Sequence, residues 1–120
     1  MEEVMEITVR EEGAVAILKL KGRLDLASGT ALKEQVRKLL AKNISSVHMN
    51  LSEVEFINSS GLGAMVSVMK ETRLKKGRLT LSNLATYVQE IFDITQLSHI
   101  FEIFPTEQDA MSSFQALAVR

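Results

Sequence analysis

The chain has no cysteine and no tryptophan, and only one proline and one tyrosine in 120 residues. The lack of cysteine excludes disulfides, thiol nucleophiles and cysteine-based metal sites. No apolar run approaches the roughly 20 residues that a membrane-spanning helix needs. The opening Met1-Glu2-Glu3-Val4 is acidic and has no apolar signal core. Neither sign of charge dominates: 14 Lys and Arg against 15 Asp and Glu give −1. Nucleic-acid binders usually carry a basic excess. The expectation is therefore a cytoplasmic protein with no direct nucleic-acid partner. Catalytic signatures are missing too. Gly61-Leu62-Gly63 lacks the third glycine of a dinucleotide fingerprint, no Gly-Lys-Ser/Thr follows it, and no glycine precedes a serine as in a nucleophile elbow. His48 and His99 have no local carboxylate at a metal-ligand spacing.

What is present is an ordinary globular composition, 46% hydrophobic and 24% charged. The length suits one domain, residues 1–120, with no repeat, low-complexity tract or linker. Val4 to Arg10 alternates loosely and predicts an edge strand. Ala14 to Leu20 is more continuously apolar and predicts a buried one, with Glu12-Gly13 as the hairpin turn between them. Asp25 and Ser28 are candidate caps for a helix over Ala27–Lys42, in which Leu32, Val36, Leu39 and Leu40 recur at helical spacing, with Asn43 as its stop. Ser46–Leu51 predicts a short strand and Ser52–Glu55 a connector. Leu62, Met65, Val66 and Met69 predict a second helix. It ends in the basic turn Lys70, Arg73, Lys75 and Lys76, read as a solvated helix ending, followed by Gly77. A strand over Arg78–Ser82 follows, then a third helix with Val88, Ile91 and Phe92, capped by Asn83 or Thr86. A strand over Ile100–Phe104 stops at Pro105. Thr106 to Asp109 looks like a capping box for a last helix with Ala110, Met111, Phe114 and Leu117. The order β-β-α-β-α-β-α-β-α implies an α/β fold with a mixed, mostly parallel sheet of about five strands and four helices.

One junction stands apart. Asn58, Ser59 and Ser60 precede a helix whose first turns contain Gly61 and Gly63. One such residue, Asn58 or Ser59, suffices as a cap. Each glycine costs roughly 1 kcal/mol against alanine in a helix. Spending that twice points to close contact at this spot. A phosphate on Ser59 would add about −1.5 to −2 charges beside free helix-start amides.

The segment Phe56-Ile57-Asn58-Ser59-Ser60-Gly61-Leu62-Gly63 resembles the phosphorylation motif of STAS-domain anti-sigma factor antagonists, the partner-switching proteins of bacterial stress and sporulation control. Gly22-Arg23-Leu24-Asp25, Asn50-Leu51-Ser52-Glu53-Val54 and Val88 to Leu97 match other parts of the pattern, so the resemblance spans nearly the whole chain. It implies a STAS fold and a protein without catalytic activity or cofactor of its own. Its unphosphorylated form would bind an anti-sigma factor serine kinase through Asp25, Asn58, Ser59, Ser60, Gly61, Leu62 and Gly63. Phosphorylation of Ser59 would release it, and a PP2C-type phosphatase would reset it. The family usually has Asp where this chain has Asn58, which keeps the capping shape and loses the charge. Alternatives are a STAS subunit of a stressosome-like scaffold or lipid-transport ABC complex, or a small anion- or nucleotide-binding domain.

Overall fold

The apolar run after the first turn becomes the centre of the sheet. In the computed structural model, which describes residues 5–118 and side chains as far as residue 116, strand β2 spans Val15–Leu24. It pairs antiparallel with β1 (Glu6–Glu12) on one side and parallel with β3 (Ser46–Ile57) on the other. Strands β4 (Arg78–Ser82) and β5 (Glu102–Phe104) continue the parallel part, so the sheet order follows the chain, β1-β2-β3-β4-β5. The expected place of Val4 in the first strand and of the Leu117 side chain in the last helix lie outside the described residues.

Side-chain alternation decides which helix covers which face. Ala16, Leu18 and Leu20 of β2 share one core with Met49 and Leu51 of β3, Leu32 and Val36 of α1 (Leu26–Ala41), Met65 and Val68 of α2 (Ser59–Leu74), and Val88 and Phe92 of α3 (Thr86–Ile94). Three successive parallel crossovers in one direction place their helices on one face, because such crossovers are right-handed. The intervening residues Val15 and Ile17 face the other way and meet Phe114 and Met111 of α4 (Glu107–Ala118). Polar contacts pin α4 to the sheet. Arg10 and Asn50 both donate to Glu107, and Arg78 donates to Ser113 at 2.9 Å while its guanidinium covers the Phe114 ring. Burial raises the Glu107 pKa, but the hydrogen bonds from Asn50 and Arg10 outweigh it and leave the pKa lowered. His48 is fully buried on this side, its ring nitrogens each 2.7 Å from the Thr80 and Ser82 hydroxyls.

Several local expectations change. The third strand does not stop at Leu51. Ser52–Glu55 remains in β3, because a bulge between Lys19 and Lys21 lets it pair with the end of β2, which itself extends to Leu24. Helix α3 is capped by neither Asn83 nor Thr86; Ala85 holds the cap position without a side-chain bond. Asn43 does end α1 in a left-handed conformation, φ 64°. After α2 that conformation falls on Lys76 (φ 57°), not Gly77. Gly77 is bare for another reason, since a Cβ there would lie 2.2 Å from the Ser45 carbonyl oxygen. A 3-10 turn over Leu97–His99 precedes β5, which is shorter than expected.

Candidate functional site

The site is set by strand register. Leu24 at the end of β2 pairs with Ile57 at the end of β3. The next residue of each strand is a helix cap, so Asp25 and Asn58 stand side by side at the starts of α1 and α2. Both sequence candidates for the first cap are used. The Asp25 carboxylate accepts from the Ser28 amide at 3.2 Å, and the Ser28 hydroxyl accepts from the Asp25 amide at 2.8 Å. The Ser28 amide and hydroxyl hold the Asp25 carboxyl below the usual carboxylate range, so it is charged at neutral pH.

Asn58 settles the choice left open for α2. Its Oδ1 accepts from the Gly61 amide at 2.9 Å, and its own amide donates to the Leu24 carbonyl at 3.3 Å. Asn58 is thus the cap, and Ser59 is the first helical residue, exposed and outside the capping bond. The amides of Ser59 and Ser60 have no partner available within the helix, as first-turn amides do not.

Ser59, Ser60 and Gly63 are exposed, and Asp25, Asn58 and Leu62 are half-buried. Leu62 packs against the core. Gly61 is buried against the chain itself, where a Cβ would sit 2.1 Å from the Leu24 carbonyl oxygen. At Gly63 the same atom would meet nothing within 4 Å. Only the second glycine therefore leaves space on the outer surface.

Three more side chains flank these residues, and two of them, Leu26 and Tyr87, lie outside the segments that matched the family pattern. Leu26 follows Asp25 and is 71% exposed. The Tyr87 hydroxyl accepts from the Ile57 amide at 2.8 Å, fixing the end of β3 from α3. Arg23 lies 3.8 Å over the Phe56 ring. Leu26 was legible as an apolar residue off the Leu32–Val36 stripe; Tyr87 needed the tertiary structure.

Among the described residues no group of three or more His, Asp or Glu is placed to hold a metal ion, and no helix is long and apolar enough to cross a membrane. A cleft of about 700 Å³ opens beside β1–β3 and is lined by Glu6, Glu53 and Glu55 with Lys21. The fold and this rim define a small α/β domain that presents two adjacent helix starts on one surface.

Comparison with known proteins agrees with that class. The STAS domain family model matches residues 6–110, and the chain belongs to that family. It is 30% identical over 99 residues to the anti-sigma-B factor antagonist of Listeria monocytogenes, covering 82% of this chain and 86% of that one. The solved Thermotoga maritima protein TM1081 superposes with a TM-score of 0.84 at 26% identity, over 89% of this chain and 92% of that one. The Bacillus cell fate determinant SpoIIAA, solved in its phosphorylated form, superposes at 0.72 and 19% identity over 91% and 99%. That last likeness concerns the fold alone.

Proposed function

We propose that this chain is an anti-sigma factor antagonist that works by partner switching. Its unphosphorylated form binds an anti-sigma factor serine kinase through the rim of Asp25, Asn58, Ser59, Ser60, Leu62 and Gly63, with Leu26 beside it, and so frees the sigma factor. Transfer of the ATP γ-phosphoryl group to the Ser59 hydroxyl, with ADP leaving, switches binding off. A PP2C-type phosphatase hydrolyses the ester and restores the binding form. The chain acts as substrate and ligand, in the cytoplasm, and contributes no catalytic group.

The observation that carries this reading is the division of labour at α2. Asn58 caps the helix, so the exposed Ser59 hydroxyl can be modified without breaking the cap. The helix start favours the added negative charge. Asp25, ionised next to it, opposes a second anion from outside once the phosphate is in place. The name of the Listeria relative, an anti-sigma-B factor antagonist, supports the same reading.

The test is incubation with the cognate kinase and ATP, followed by mass-spectrometric mapping. Phosphate on Ser59 is expected; phosphate on Ser60 alone, or none, refutes the assignment. Ser59→Asp is expected to keep the native circular dichroism spectrum and lose affinity for the kinase, and unchanged affinity counts against the switch.

A further inference from the structure

The opposite end of the helical layer carries a surface that the switch does not use. Helix α2 buries Gly61, Ala64, Met65, Val68, Met69 and Thr72, a stripe at helical spacing. Leu74 lies off that stripe and is 82% exposed. A single exposed leucine is ordinary. This one walls a groove of about 330 Å³ between the C-terminal turns of α1 and α2, together with Arg37, Leu40, Ala41, Glu71 and Lys75.

The two helix ends that form the groove are basic. Arg37 and Lys75 line it, and Lys38, Lys42, Lys70 and Lys76 are exposed in the last two turns of α1 and α2 or just past them. Arg37 is tied to Glu71 at 2.8 Å, and Arg73 donates to the Ile100 carbonyl at 2.8 Å. The five lysines enter none of the ion pairs among the described residues. Dipole complementation explains only part of this charge. It acts within the last turn, where Lys38 and Arg73 are the basic residues of α1 and α2.

We propose that this groove docks an acidic segment of a partner protein, anchored by one large apolar side chain set beside Leu74 and steered by the surrounding lysines. Charge complementarity selects an acidic occupant. The apolar floor and the small volume suit one or two side chains of a peptide. No aromatic residue lines the groove to stack a base, as single-stranded nucleic acid would require. Ser59 is at the other end of α2, about 22 Å away at 1.5 Å per residue. Both surfaces can therefore be occupied together, and this proposal does not rest on the phosphoswitch.

The test is selection of a phage-displayed library of short random peptides on the full chain, with the enriched peptides titrated by fluorescence anisotropy. Enriched peptides are expected to combine Asp and Glu with one Leu, Ile, Phe or Trp, and to shift backbone amide resonances within residues 37–42 and 70–77. Leu74→Ser should weaken binding about tenfold or more, the usual scale for losing an interface anchor. Lys75→Glu with Lys76→Glu should weaken it further, and Ser59→Asp should leave it unchanged. All four positions are exposed, and thermal melts check that the variants fold. The proposal is overturned by no enrichment, by peptides without acidic bias, or by unchanged affinity of Leu74→Ser. It is equally overturned if the Leu74-dependent ligand proves to be anionic phosphatidylglycerol vesicles or a second copy of the chain.

Discussion

Alanine at position 61 and alanine at position 63 should move stability in opposite directions, although both replace a glycine in the first turns of one helix. At Gly61 the new methyl would sit 2.1 Å from the Leu24 carbonyl oxygen and 2.8 Å from its carbon. These are backbone atoms at the end of β2 and cannot rotate away. Either the first turn of α2 or the strand end must move, and with it the Asn58 amide bond to Leu24. Overpacking of this kind costs about 1–3 kcal/mol, and so severe a contact belongs at the upper end. The helix-propensity gain returns about 1 kcal/mol, leaving Gly61→Ala less stable by about 2 kcal/mol. Gly63 has open space around the same atom. There the propensity term acts alone, and Gly63→Ala should be more stable by up to about 1 kcal/mol. The difference of about 3 kcal/mol corresponds to roughly 10 °C in melting temperature for a domain of this size. Urea melts followed by far-ultraviolet circular dichroism, fitted with a common m-value, read both signs. Two variants shifted in the same direction, or a Gly61→Ala protein as stable as the wild type, would refute the assignment of internal clearance to Gly61 and external clearance to Gly63. The stabilised Gly63→Ala protein should also bind the kinase more weakly, since its added methyl faces the proposed partner.

The remaining predictions concern the cap, the buried histidine and α4. Asn58→Ala should cost about 1 kcal/mol by leaving the Gly61 amide uncapped, whereas Asn58→Asp should gain about 0.3–1 kcal/mol at neutral pH from charge at the helix start; thermal melts of the pair check both. Burial pushes the His48 pKa down from 6.5 to about 4. Above pH 6.5 the ring is neutral whether the chain is folded or not. Between 6.5 and about 4 only the unfolded chain takes up the proton, so stability falls with pH by about 3 kcal/mol across that window and levels off below it. Comparison with His48→Gln subtracts the carboxylates that also titrate there, and an NMR titration showing the folded ring protonated near pH 6.5 would contradict the burial argument. Phe114→Ala should destabilise the chain by about 3 kcal/mol, at the low end for a buried aromatic. Its damage should be confined to the contact of α4 with Val15 and Ile17, so hydrogen exchange should quicken in α4 more than in α2.

Some of this protein could be read directly. The apolar run of β2, the stripes of α1 and α2, and the glycine-bearing turn before β2 specify periodicity and chain reversal locally, and the element order follows from them. Asp25 was legible as a cap because capping is a three-residue affair, and Ser59 because its neighbours form a recognisable pattern. Other features had no local signature. Ser52 to Glu55 looks like a connector because its polar residues match a loop. It stays in the sheet because the register shift after Lys19 lets it pair with the end of β2, with Val54 buried in the core and Ser52, Glu53 and Glu55 exposed. Ala85 caps α3 without a capping side chain, a place that polar neighbours appeared to claim.

The junction shows where the division falls. The sequence by itself determined that a helix starts near Ser59 and that its first turns contain Gly61 and Gly63, since caps and propensities act over three or four residues. Which glycine is spent on the fold and which faces outward was decided only when parallel pairing of Leu24 with Ile57 brought the end of β2 under α2. That contact joins residues far apart in the chain, and its distance is fixed by the register of the sheet and the packing of a helix across it, neither of which any short stretch of sequence encodes.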